Sequence, residues 1–239
     1  MLRTIIAGAT ALAAVLSLSQ AQAAEQRGGA RAAEREAAAR SPSADEVLDP
    51  KNVDVEVPRS EAATRVLDWV AASADNGDLP YIVIDKNAGR LFLFDAEGEQ
   101  VGEAPVLIGI AVGDDSSPGV GSKRLSQLGP AEKTTPAGRF LAKFGRAARN
   151  QQVLWIDYAT SVALHAVVTG NKKERRLERL ASSSPEDKRI TYGCINVPVD
   201  FYEDTVRPLF KKEGGIVYVL PDTKPLEEVF PRVQVLPYL

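Results

Sequence analysis

Residues 81–100, "YIVIDKNAGRLFLFDAEGEQ", set the reading of the whole chain. An apolar run from Tyr81 to Ile84 meets an Asn87-Ala88-Gly89 turn, a second apolar run covers Leu91 to Phe94, and another glycine follows at Gly98. The order is strand, turn, strand, turn. Further strands are expected in "APVLIGIAV" (104–112), "GRFLAKF" (138–144), "QVLWIDYA" (152–159), "SVALHAVV" (161–168) and "GIVYVLP" (215–221). About seven short strands with Gly and Pro between them predict a β-rich domain over 79–222. Helical spacing is confined to "SEAATRVLDWVAAS" (60–73), "KKERRLERLASS" (172–183) and "DFYEDTVRPLFKK" (200–212). The first reads as a short packing helix within 60–78, capped by Ser60. Residues 223–239 are left as a C-terminal tail.

Composition fits one ordinary globular domain with extensions. The 239 residues are 44% hydrophobic and 26% charged, and 29 Lys and Arg against 32 Asp and Glu leave a net charge of -3. No basic excess points to nucleic acid. The start, "MLRTIIAGATALAAVLSLSQAQAAEQ", has Arg3, an apolar stretch to about Leu18, and a small-x-small ending at Ala21-Gln22-Ala23. It reads as a signal peptide over 1–23. The apolar run is shorter than the ~20 residues a membrane span needs, so no stable span is expected after cleavage. Export to the periplasm or cell envelope is the expectation. Residues 24–59, rich in Ala, Arg, Glu, Gly and Pro, read as a flexible linker.

Cys194, in "RITYGCINVP" (189–198), is the only cysteine, and His165 is the only histidine. An exported chain with nothing to pair its thiol leaves two readings open, a small buried hydrophobe or a nucleophile. A free thiol of pKa ~8.5 is mostly protonated at neutral pH, so a nucleophilic Cys194 needs an imidazole, and only His165 offers one. Strand alternation puts His165 on the face opposite Val162, Leu164 and Ala166. One Cys and one His show no zinc-ligand spacing, so no metal is expected. The long loop 113–140, "GDDSSPGVGSKRLSQLGPAEKTTPAGRF", lacks phosphate-loop spacing, and no dinucleotide fingerprint is present. No cofactor is expected. Gly193 allows close substrate approach, and the amides of Gly193 and Cys194 suit an oxyanion hole, which makes acyl transfer the matching reaction class.

Taken together, these residues resemble the L,D-transpeptidases of the YkuD type, whose signature is a histidine followed after a gap by [S/T]-H-G-C-[apolar]-[N/R]. Here it stands as His165 and then "TYGCIN" (191–196). "IVIDKNAGRLFLFD" looks like that family's opening hairpin, "TTPAGRF" like its T-P-x-G-x-F, and "GIVYVLP" like its last strand. The resemblance implies a mainly β (α+β) fold, a β-sandwich with a few short helices. It also implies cysteine acyl transfer on peptidoglycan stem peptides, with Cys194 as nucleophile and His165 as base and acid. The amides of Tyr192, Gly193 and Cys194 would face the oxyanion.

Two departures from the pattern stand out. The second motif histidine is Tyr192 here, which fits if that position works through its backbone carbonyl, orienting His165. The gap between His165 and Cys194 is long, and the excess lies in "GNKKERRLERLASSSPEDKR" (170–189). There Leu177 and Leu180 are expected to dock one helix face. Arg175 and Arg176 are expected either to stay solvated or to meet stem carboxylates. Arg189, Thr191 and Asn196 are expected to orient the loop or the donor peptide, or to make local turn hydrogen bonds. A transpeptidase, a hydrolytic variant resolving the same thioester with water, and a wall-binding member without turnover all remain open on sequence.

Overall fold

A computed structural model describes residues 58–238. The proposed signal peptide and nearly all of the proposed linker lie outside the described residues. The described residues fall within one compact unit.

Ten strands build it: β1 (Tyr81–Asp85), β2 (Arg90–Phe94), β3 (Gln100–Pro105), β4 (Ile108–Gly109), β5 (Gly138–Arg146), β6 (Gln152–Asp157), β7 (Val162–Ala166), β8 (Arg189–Thr191), β9 (Ile195–Val197) and β10 (Gly215–Val219). Eight of them join one mixed sheet in the order β3-β2-β1-β10-β5-β6-β7-β9, while β4 and β8 pair separately. The sheet nearly closes. Leu107, two residues beyond edge strand β3, exchanges two backbone hydrogen bonds of 2.9 Å with Asn196 on the other edge strand, β9. The fold is thus mainly β, with a single rolled sheet supplying both walls of the core.

The expected strand at 104–112 is divided differently, with β3 ending at Pro105 and only Ile108 and Gly109 forming β4. Pro105 has no amide proton with which to continue a ladder. The alternation within strands sorts two cores. Ile82, Ile84, Leu91, Leu93, Val217 and Val219 face the interior of the rolled sheet. Tyr81, Val83, Phe92, Phe94, Ile216 and Tyr218 face outward, under helix α1 (Glu61–Ser73). That second layer explains why β1, β2 and β10 are buried at every position and read as continuous apolar runs.

Helix α1 is capped by Ser60, whose Oγ accepts from the Ala63 amide at 3.1 Å, and it buries Ala63, Val66, Trp69 and Val70. Residues beyond Asp222 share this layer, with Leu226, Phe230 and Val233 packed into it. Helix α2 (Arg176–Ala181) forms in the 170–189 insertion, and a helical run follows at 199–210. Among the described residues no helix is long and apolar enough to cross a membrane.

Candidate active site

The register of β7 against β9 places the two singular residues. Leu164 pairs with Ile195, His165 with Asn196 and Ala166 with Val197 in a parallel ladder. Val162, Leu164, Ala166, Ile195 and Val197 point into the core, so Ala163, His165, Cys194 and Asn196 share the opposite face. Cys194 stands one step along from the His165–Asn196 pair, a diagonal that side chains can span.

The turn that carries Cys194 is fixed from both sides. Thr191 Oγ1 donates to the Cys194 carbonyl at 2.6 Å and accepts from the Gly193 amide at 3.2 Å. Gly193 has φ +122°, and a Cβ there would lie 2.7 Å from the Thr134 carbonyl, so only glycine fits. Thr135, 1% exposed, donates to the Gly193 carbonyl at 2.8 Å and accepts from the Gly109 amide at 2.9 Å. The "TTPAGRF" segment therefore holds the cysteine turn against β4. Thr135→Val would strand a buried carbonyl and a buried amide, each costing about 1–3 kcal/mol. We expect a loss of about 2 kcal/mol or more in chemical denaturation, with slower turnover even in the folded fraction.

A charge network centred on the buried Lys86 backs the same wall. Lys86 Nζ donates to the carbonyls of Gly113 (2.7 Å) and Thr135 (2.9 Å), to Asp114 Oδ1 (3.0 Å), and pairs with Asp222 Oδ2 at 3.3 Å. Arg189 completes it through Asp222 Oδ1 at 2.8 Å and weaker contacts to the Gly109 and Ala111 carbonyls. Burial alone would raise the Asp114 carboxyl. Hydrogen bonds from the Asp222 and Lys224 amides, the Thr223 hydroxyl and Lys86 hold it well below the usual carboxylate range. The Arg189 guanidinium is committed here, to orienting the loops around Cys194.

His165 carries a defined tautomer. Its Nδ1 lies 2.8 Å from the Ala166 carbonyl, which can only accept, so Nδ1 holds the proton and Nε2 the lone pair. The orienting carbonyl is thus that of Ala166, where Tyr192 had been expected. Asn196 Nδ2 lies 3.2 Å from Nε2, and Arg176 Nη1 donates to Asn196 Oδ1 at 2.6 Å. The Cys194 thiol instead donates to the Ser161 carbonyl at 3.7 Å. Thiol and imidazole share a face, yet each has its own partner, and no hydrogen bond joins them.

Burial lowers the His165 pKa, with Arg176 adding to the effect and the Ala166 carbonyl opposing it. Burial also pushes the Cys194 thiol up, with the Ala163 backbone and Arg176 pulling it back. Both shifts favour the neutral pair over a thiolate–imidazolium pair at neutral pH. The acid limb of kcat/KM should therefore fall below pH ~6.5, the ordinary imidazole value. Iodoacetamide alkylation of the resting protein should accelerate only above pH ~8.5. An alkylation inflection near pH 5 would mean a preformed ion pair.

Other expected residues are placed as follows. The Gly193 amide is turned to Thr191 Oγ1, which leaves the amides of Tyr192 and Cys194 without a backbone acceptor among the described residues. The Tyr192 ring is exposed, with Lys133 Nζ 4.3 Å from its centre, and His165 makes its hydrogen bonds with other residues. Leu180 docks against Leu107 and Val167, while Leu177 is exposed, so only one of the two expected anchors is used. Lys188 Nζ ties down the last carbonyls of α2, at Arg179 (3.0 Å) and Leu180 (2.7 Å). Arg176 is thereby held inward against Glu174 at 2.5 Å, whereas Arg175 points out and pairs with Glu178.

The loop after β4 roofs Cys194. Ser116, Val120, Leu125, Leu128, Glu132 and Tyr192 enclose a cavity of about 50 Å³ over the thiol. That space holds a few waters, far less than the ~300 Å³ of an ordinary ligand pocket. Lys123 pairs with Glu132 across the loop, and Ser161 Oγ donates to the Gly121 carbonyl at 3.3 Å. A larger cleft of about 540 Å³ lies by Trp69, Asp75, Arg139 and Phe230. It holds neither the thiol nor the imidazole, and Arg139 is already satisfied there by Asp75.

No protein-family model matches the chain, and no curated protein does. Among solved structures, it is similar to the catalytic domain of an E. faecium L,D-transpeptidase, at 18% identity over 60% of this chain and 98% of that one, with TM-score 0.35. It is also similar to an L,D-transpeptidase from Xylanimonas cellulosilytica DSM 15894, at 12% identity over 66% and 80%, with TM-score 0.37. A third likeness is to the helical cell shape determining protein Pgp2 from Campylobacter jejuni, at 12% identity over 70% and 58%, with TM-score 0.43.

Proposed function

We propose that this chain is an exported cysteine acyltransferase of the L,D-transpeptidase type, acting on tetrapeptide stems of peptidoglycan. The observation that carries the reading is the placement of Cys194 and His165 on one face of adjacent parallel strands, with the Nε2 lone pair on that face. Acyl transfer needs little more than a nucleophile, a proton carrier and donors for the oxyanion.

The steps follow from the neutral pair. The Cys194 proton passes to His165 Nε2 as sulfur bonds to the carbonyl carbon after the third stem residue. The tetrahedral oxyanion is received by the Tyr192 and Cys194 amides. As the C–N bond breaks, His165 returns the proton to the departing D-alanine amine, leaving a thioester. An amine of a neighbouring stem then attacks the thioester, giving its proton to His165, which restores the thiol.

A second reading differs only in the last step, where water resolves the thioester. In either reading the loop must open to admit the donor stem; once the thioester has formed, water can reach it through a space too small for a second peptide. Incubating the chain with tetrapeptide muropeptides and following products by mass spectrometry separates the readings. Crosslinked dimers mean transfer, tripeptides alone mean hydrolysis, and unchanged muropeptides would leave only a wall-binding role.

A further inference from the structure

The neutral pair sits beside a polar chain that the acyl-transfer steps leave unused. Glu174 Oε2 accepts from Arg176 Nε, Arg176 Nη1 donates to Asn196 Oδ1, and Asn196 Nδ2 donates to His165 Nε2. Guanidinium only donates, so Arg176 dictates which way the Asn196 amide faces, with its oxygen to Arg176 and its nitrogen to His165. Asn196 is 1% exposed and cannot turn to water for a substitute partner. In this state the one lone pair able to take the thiol proton is already occupied.

Arg176 is also the cation that acts electrostatically on both Cys194 and His165. Its Nε edge is spent on Glu174, and among the described residues Nη2 makes no hydrogen bond. A carboxylate binds guanidinium best through two parallel bonds, here to Nη1 and Nη2. Nη1 has a second N–H, yet a carboxylate drawn onto that edge competes with Asn196 Oδ1 for the position and charge of the guanidinium.

We propose that Arg176 receives the free carboxylate of the substrate, and that this exchange releases Asn196 and delivers His165 Nε2 to Cys194. The proposal rests on the acyl-transfer reading and deepens it: Arg176 selects substrates with a free carboxylate next to the scissile bond. Asn196 is a positioning residue that keeps base and thiol apart until such a substrate arrives. Arg175, in contact with Glu178 and exposed, has no part in the exchange.

Two alkylating probes test this without relying on turnover. Iodoacetate carries a carboxylate and iodoacetamide does not, and each forms an S–C bond with Cys194 as iodide leaves. Relative to a small free thiol, the iodoacetate-to-iodoacetamide rate ratio on the full chain should be raised about 10-fold by the adjacent cation. Arg176→Gln should return the ratio to that of the free thiol, Arg176→Lys should keep part of it, and Arg175→Gln should leave it raised. An equal ratio in wild type and Arg176→Gln would overturn the carboxylate site.

Asn196→Ala should raise the iodoacetamide rate at pH 7 several-fold while keeping the ratio, because Nε2 becomes available to the thiol. A lower rate with the ratio intact would overturn the restraining role. If the probe results hold but tetrapeptide stems are not turned over, the peptidoglycan reading fails and the carboxylate site stands.

Discussion

His165→Gln should lower kcat by about 10²–10⁴-fold, with KM nearly unchanged, the usual loss when a positioned general base is removed. The size follows from the neutral pair. Burial holds the thiol protonated and the imidazole uncharged, so the proton must move during attack, and His165 is the only imidazole in the chain. Glutamine retains a hydrogen-bonding amide in similar space and cannot accept the proton. The same variant should be alkylated by iodoacetamide at pH 10 about as fast as wild type, since hydroxide then supplies the thiolate. Loss of alkylation at high pH would mean that His165 shapes the site and does not act as base.

Lys86→Met should destabilise the protein by about 3–5 kcal/mol, the range for removing one partner of a buried ion pair. For a unit of this size that is a fall of about 10 °C in Tm. Lys86 is 1% exposed and faces two buried carboxylates, Asp114 and Asp222, of which Arg189 can serve only the second. Methionine fills the stem and supplies no charge. The Asp114 pKa is depressed, so its share of the stability is present above pH ~4 and is lost as pH falls through the lowered folded value. The melting deficit of Lys86→Met should therefore be largest at neutral pH. A Tm within 2 °C of wild type would show that the network is not a stabilising clamp.

The hairpin at 81–94 was legible because β-branched and aromatic runs flank a turn, and β7 because its alternation covers five residues. Strands β8 and β9 were not, since three residues each is too short for a period to register. Yet β9 is what brings Asn196 level with His165. The thiol and imidazole stood out by being single, and Arg176 by its place in the insertion. Which of the two adjacent arginines turns inward depends on the αL backbone at Arg175 and on Lys188 closing the end of α2, and neither leaves a mark in composition. Thr135 was visible only as part of a motif, and its grip on Gly193 is a long-range contact. Lys86 and Asp114 carried no signal, because a buried lysine looks like any other until its partners converge.

The central claim is that Cys194 forms a thioester with a stem peptide. Its most direct test is intact-protein mass spectrometry of samples acid-quenched during reaction with a tetrapeptide stem. The account predicts a transient mass increase equal to the tripeptide acyl group, mapped to Cys194, released by hydroxylamine and absent from Cys194→Ala. D-alanine release with no adduct on Cys194, or release that persists in Cys194→Ala, would contradict it.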